Sequence, residues 1–303
     1  MRHVPYGNGV GRGTRGLMGV LFGLGAAVTW GSADYVAAIA GRRIGSHRVV
    51  LGFHVVATFL LAFLVIGTGS LEGVSAADVG FFVLVGAIGW MGYACFYRAL
   101  AIGPISVLSP IVSGYAMVTL LLAIVFLDER LGLGAGIAVI VSMIGILLAS
   151  QGLRHIFAAE WVDMHGLLFA LAAMVLIGTF VLGVSVKADH LGWLVPVFLA
   201  RAFSTVFVAG SLLRGGAWKF PDRSPRVLWA IVALALLDTA GYISFNLGTE
   251  HADTAIVAAA SAPYAVIPVI AGVLFFHERP TPTEWVGAGF VIAGLVLLGL
   301  AVG

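Results

Sequence analysis

An all-α membrane protein of ten transmembrane helices, arranged as two inverted five-helix repeats, is the fold the sequence predicts. Three observations predict it. Hydrophobic residues make up 61% of the chain and charged residues only 10%, whereas a soluble domain carries charge on about a quarter of its residues. Apolar runs of roughly 20 residues, long enough to cross the hydrocarbon layer as helices, follow one another along the chain. The chain also matches itself at a shift of nearly half its 303 residues. Alternating segments of about 10 residues, which membrane strands would need, do not occur in the sequence.

Gly, Pro and charge clusters set the span limits. The first span, near 17–40, follows Arg2, Arg12 and Arg15. Its length of about 23 residues exceeds the 7–15 of a cleavable signal's apolar region, so it is expected to stay as a membrane helix. Arg42 and Arg43 separate it from a second near 48–67, and a Gly-rich stretch with Glu72 precedes the third near 78–100. A fourth near 104–127 ends at Asp128, Glu129 and Arg130, and a fifth occupies 132–150. The sixth, near 165–186, follows Asp163, and Lys187 and Asp189 precede the seventh near 192–213. Pro221 to Arg226 introduce the eighth near 226–248. Glu250 and Asp253 precede the ninth near 254–276, and Glu278, Arg279 and Pro280 the tenth near 284–302.

The 41 glycines suit a helix bundle in lipid, where small residues let backbones approach closely. They imply packing rather than catalysis. The lone cysteine, Cys95, lies within the third span, so an intrachain disulfide is excluded and a thiolate metal site is not suggested. A net charge of +2 spread over short loops offers no basic patch for nucleic acid.

The self-match divides the chain. A shift of 149 aligns YACFYRA from Tyr93 with YISFNLG from Tyr242, then Tyr115 with Tyr264, Phe126 with Phe275, Glu129-Arg130 with Glu278-Arg279, and Gly145 with Gly294. A shift of 147 matches GVLFGLGA from Gly19 with GLLFALAA from Gly166. The expected division is an N-terminal tail, 1–16, a first repeat, 17–152, and a second, 153–303. Five is odd, so the second copy enters from the opposite side; inverted pairs of this kind are common among secondary transporters, with the site near the midplane. The two Glu-Arg pairs then mark opposite membrane faces, a boundary role being preferred to a binding one.

The stretches SGYAMVTLLLAIVFLDERL and SAPYAVIPVIAGVLFFHERP, each before a Gly-rich span, together with TWGSADY around Trp30 and Gly31, resemble the EamA-like members of the drug/metabolite transporter superfamily. The likeness covers both halves. Where the family often has Pro after the Tyr of the fourth helix, this chain has Ala116 and Ala265, with Pro110, Pro263 and Pro268 nearby. The resemblance implies ten helices, no ATP-hydrolysing domain, and movement of small metabolites such as amino acids or drugs, often outward and driven by an ion or substrate gradient. It also implies residence in the cell membrane as a multi-pass protein.

An ionisable group inside a bilayer is expensive and normally faces a partner or a water-filled cavity. Asp34, His54, Arg201 and Asp238 are such groups, and Arg201 is the repeat counterpart of His54. Asp34 and Asp238 have no acidic counterparts, the matching positions being Val181 and Gly89. The two acids are expected to pair with Arg201 or His54 along a central cavity, where substrate or a proton alters the pairing. Asp34 and His54 are expected nearer helix ends than Arg201 and Asp238. Tyr93, Tyr242, Tyr115, Tyr264, Trp30 and Asn246 are further candidates for the lining, since small-molecule sites are mostly apolar with a few polar groups. An organic anion or zwitterion near Arg201 is one ligand these residues suggest, unless Asp238 neutralises that charge.

Orientation stays open. With the N-terminus inside, five Lys or Arg (Arg2, Arg12, Arg15, Arg130, Lys187) lie inside and ten outside, which the positive-inside rule disfavours, whereas family resemblance places both termini inside. Expected partners are a small-molecule substrate, the lipid bilayer and, as an option, a second copy in a homodimer. No nucleic acid, metal or cofactor is expected. An enzyme is not expected: phosphate-binding, zinc-helix and nucleophile-elbow motifs are missing from the sequence, and Asp34 and Asp238 make only a remote case for an intramembrane aspartyl protease. A lipid-linked carrier or flippase of the same fold is the main alternative.

Overall fold

The structure is a computed structural model that describes residues 9–102, 111–128, 131–149, 164–214, 224–265 and 282–302. Among them there are helices and turns and no strand, as lipid requires of any chain that must satisfy its backbone groups within each segment. The helices are α1 (Gly9–Ile44), α2 (Ser46–Thr68), α3 (Ala76–Ile102), α4 (Tyr115–Leu127), α5 (Leu133–Ala149), α6 (Met164–Ser185), the short α7 (Ala188–Leu191), α8 (Leu194–Arg214), α9 (Pro225–Thr249), α10 (Thr254–Ser261) and α11 (Pro282–Val302). Six of these, α1, α2, α3, α6, α8 and α9, are long and apolar enough to cross a membrane, while α4, α5, α10 and α11 are shorter apolar helices.

Two helix limits depart from expectation for identifiable reasons. Helix α1 continues to Ile44 instead of closing near 40. Arginine is a good helix former, so Arg42 and Arg43 do not break it; Gly45 does, at φ 84, a conformation open to glycine at low cost. Asp34 consequently lies well inside its helix and not near an end. Helix α10 stops at Ser261, where the 3-10 turn Ala262–Ala265 contains Pro263; proline has no N–H to continue an α-helical ladder. Pro110, Pro268, Glu129, Arg130, Glu278 and Arg279 lie outside the described residues.

Close approach through glycine fixes which helices pair. A Cβ on Gly241 of α9 would sit 2.3 Å from the Trp30 indole nitrogen of α1, and one on Gly92 of α3 would sit 3.0 Å from the Ile177 side chain of α6. These two contacts are repeat counterparts, since Gly92 and Gly241, like Trp30 and Ile177, occupy matched positions. Both helix pairs run antiparallel: Gly19, Gly25 and Trp30 of α1 meet Gly248, Ser244 and Gly241 of α9, while Gly89 and Gly92 of α3 meet Phe180 and Ile177 of α6. Helix α8 runs parallel to α3, with Ser204 donating to the Gly86 carbonyl at 3.0 Å and Trp90 stacked on Phe207. Helices α5 and α11 cross where Gly294 meets Ser142.

At the start of α3, Ser75 caps the helix. Its hydroxyl accepts the Asp78 N–H at 3.1 Å, and the Asp78 carboxylate accepts the Ser75 N–H and O–H in return, a reciprocal box of the kind that satisfies orphan donors. Lys187 closes the arrangement at 2.9 Å from Asp78, tying the end of α6 to the start of α3. Ser75→Ala is expected to cost about 1 kcal/mol, read as a lower melting temperature of the purified protein.

Candidate functional site

Three helices present regularly spaced faces to one interior space. Trp30 and Asp34 are four residues apart on α1, Tyr93 and Tyr97 on α3, and Leu234, Asp238 and Tyr242 follow at the same interval on α9. Residues at that spacing share a helix face. The faces converge on a cavity of about 550 Å³ of empty space, its opening included. Phe53 of α2, Tyr115 at the start of α4, Ile177 and Val181 of α6, and Tyr264 in the 3-10 turn complete most of the wall.

Behind that wall lies the charged cluster. Arg201 of α8 is 1% exposed and its guanidinium is ion-paired with the Asp238 carboxylate. A second guanidinium nitrogen lies 3.2 Å from His54 Nε2, while His54 Nδ1 lies 2.9 Å from the Val50 carbonyl. A carbonyl can only accept, so Nδ1 carries the hydrogen, Nε2 accepts from Arg201, and the imidazole is neutral. The rings of Tyr242, Phe53 and Tyr93 surround the guanidinium with centroids at 5.1, 5.4 and 5.8 Å, offering the cation–π contacts a desolvated arginine uses. Tyr93 donates to the other Asp238 oxygen at 3.3 Å, and the Trp30 indole donates to the Asp238 backbone carbonyl at 3.3 Å. Charge, fork geometry and aromatic faces thus all favour Arg over Lys at this position.

Seven of the ten residues singled out from sequence line the cavity: Trp30, Asp34, Tyr93, Tyr115, Asp238, Tyr242 and Tyr264. Arg201 and His54 form the layer behind it. Asn246 does not reach it; its amide nitrogen donates to the Trp193 carbonyl at 3.1 Å. Of the expected pairings of the two acids, Asp238 with Arg201 is present, whereas Asp34 makes no hydrogen bond or ion pair among the described residues; the contact of Arg201 with His54 is an addition. The hint of an anion at Arg201 disappears with its neutralisation by Asp238. Phe53, Phe96, Tyr97, Ile177 and Leu234 also line the space. Spacing from Tyr93 and Asp238 was the signal that could have found Tyr97 and Leu234. No group of three or more His, Cys, Asp or Glu poised to hold a metal occurs among the described residues.

Several contacts join a residue to its own repeat counterpart. His54 meets Arg201 and Thr58 meets Thr205 at 2.8 Å, both across 147 positions. The Tyr93 and Tyr242 hydroxyls lie 3.4 Å apart across 149 positions, and the Tyr115 and Tyr264 rings pack at 5.5 Å.

Six helices long and apolar enough to cross a membrane, with a buried charged cluster and a cavity among them, define a multi-pass membrane protein. The family model described as "EamA-like transporter family" matches residues 17–151 and again 164–300. The chain belongs to that family, among the drug/metabolite transporters. An "Uncharacterized transporter in cobO 3'region" of Sinorhizobium sp is 31% identical over 94 residues, 31% of this chain and 67% of the relative. A "Probable 4-amino-4-deoxy-L-arabinose-phosphoundecaprenol flippase subunit ArnE" of Escherichia coli O157:H7 is 33% identical over 114 residues, 36% of this chain and 98% of the relative. One crystal structure superposes with a TM-score of 0.75 at 15% identity, over 93% of this chain and 98% of the other, which shows a shared fold alone.

Proposed function

We propose that this protein is a secondary transporter that moves a small metabolite, an amino acid or related compound or a drug, across the cell membrane, by efflux coupled to protons or by substrate exchange. The observation that carries the reading is the cavity whose wall includes Asp238, the partner of a fully buried Arg201. An ion pair in that place is a switch as well as a brace. A proton or ligand that takes up the charge of Asp238 loosens its hold on Arg201, so loading the cavity changes how α8 and α9 are tied. No catalysis is proposed: with Asp238 engaged by Arg201, Asp34 and Asp238 are not a free pair able to share a proton as aspartic proteases require.

Ten helices in two inverted units, 17–152 and 153–303, are part of this reading. The contacts between repeat counterparts support it, because a residue touches its own counterpart only beside a two-fold axis. The antiparallel pairing of α1 with α9 and of α3 with α6, which are equivalent pairs under such an axis, supports it too. Transporters so built hold substrate near the midplane between the repeats.

The test is flux into or out of sealed vesicles carrying the purified protein, after a thermal-shift screen of amino acids, nucleosides, sugars, polyamines and antimicrobials; a ligand of the folded state raises its stability by mass action. Arg201→Lys is expected to lower flux about tenfold or more with insertion unchanged, because Lys cannot serve Asp238 and His54 with one planar fork. A screen without a stabilising ligand, followed by no flux of any compound, would defeat the transport reading. A second reading, a lipid-linked carrier or flippase, is favoured by the likeness to the ArnE subunit; translocation of a polyprenyl-phosphate-linked sugar and no flux of soluble compounds would establish it instead.

A further inference from the structure

We infer that the ligand of the cavity is a small organic cation, an ammonium group on a compact apolar body. The inference rests on the transport reading and narrows its substrate. Charge balance comes first. Arg201 and Asp238 cancel, and His54, donating to Val50 and accepting from Arg201, is neutral. Asp34 is then the one carboxylate of the cavity wall left without a partner among the described residues. It is part-exposed to the space itself. A lone carboxylate in a membrane interior has to be offset by a cation or a proton, and the charged layer behind the wall has none to spare.

The rest of the wall suits the same ligand. Trp30, Tyr97, Tyr115 and Tyr264 present aromatic rings to the cavity that holds Asp34, the setting in which ammonium groups bind through ring faces. The repeat counterpart of Asp34 is Val181, which also lines the cavity. One wall is therefore acidic and its equivalent apolar, which fits a ligand with a cationic head and an oily body and disfavours an anion or a doubly charged solute.

Matched probes test this: phenethylamine and its trimethylammonium derivative as cations, phenylalanine as the zwitterion, and 3-phenylpropionate as the anion, each titrated against the purified full chain. Both cations are expected to bind at least about tenfold more tightly than the other two, a difference of about 1.4 kcal/mol. Asp34→Asn is expected to erase that preference while leaving the Arg201–Asp238 pair and the melting temperature of the empty protein nearly unchanged. Asp34→Glu, which keeps the charge, should restore the preference in part. Equal or tighter binding of 3-phenylpropionate overturns the inference, as does a cation preference that survives Asp34→Asn, or no binding of either cation up to about 10 mM. Flux separates the two levels: cation binding without cation flux in vesicles would refute transport and spare the site, while flux of a different solute class would refute the site and spare transport.

Discussion

Asp238→Asn is expected to abolish transport in a chain that still inserts, and to lower its stability by about 3 kcal/mol or more. The magnitude follows from what remains. Removing one partner of a buried ion pair leaves the other charge desolvated and uncompensated, which typically costs about 3–5 kcal/mol. Here the orphan is Arg201, 1% exposed and enclosed by Phe53, Tyr93 and Tyr242. Stability alone would not separate a brace from a working part, so the informative variant is the double one. Arg201→Met with Asp238→Leu removes both charges; apolar replacement of a buried pair is often neutral or stabilising, and the melting temperature should recover most of what the single variant loses. Flux should not recover. If the double variant transports like the unaltered protein, the pair is structural and the coupling role assigned to Asp238 is wrong.

Gly294→Ala is the second large effect expected, though it touches no charge. A Cβ there would lie 2.2 Å from the Ser142 hydroxyl, 2.7 Å from the Ser142 backbone nitrogen and 2.9 Å from the Ala138 carbonyl. Two of those three atoms are backbone and cannot swing away, so α5 and α11 must separate. Overpacking of this sort costs about 1–3 kcal/mol. The control lies on the same helix: a Cβ on Gly289 meets nothing within 4 Å, and Gly289→Ala should leave stability within about 0.5 kcal/mol of the parent. Ala favours a helix over Gly, so propensity alone would raise the melting temperature in both variants; a fall confined to Gly294→Ala reports the α5–α11 contact, and an equal fall in both would refute it.

Much of this site can be read from the residues, and the reason is economy. Charges are rare in the spans, so Asp34, His54, Arg201 and Asp238 announce themselves, and the shifts of 147 and 149 indicate which positions are equivalent. Equivalence in sequence then predicts contact near an axis, as His54 with Arg201 and Tyr93 with Tyr242 illustrate. Partner choice is not readable in the same way. It depends on helix rotation and tilt, to which a sequence of nearly uniform apolar character gives little clue; Asp238 turns toward Arg201 while Asp34 does not. Asn246 shows the limit from the other side. It is one helical turn from Tyr242, yet its amide reaches Trp193 at the end of the short α7 connection, a contact created by a turn whose path periodicity does not encode. Helix ends are less legible, because Arg42 and Arg43 continue α1 and the φ of Gly45 ends it.

The meeting of His54 with Arg201 also bears on how such a chain can arise. In a protein made of two identical copies, any residue at this place would face itself, and two arginines at hydrogen-bond distance would repel in a medium that screens them poorly. Joining the copies in one gene removes that constraint, since the two positions can then mutate separately. In this chain one position holds a permanent cation, Arg201, the other a neutral acceptor for it, His54, and the acid that balances the pair, Asp238, occurs once, its matching position holding Gly89. Two halves of different sequence can therefore carry one arginine, one histidine and one aspartate at this site, an unsymmetrical set that identical halves would have to double.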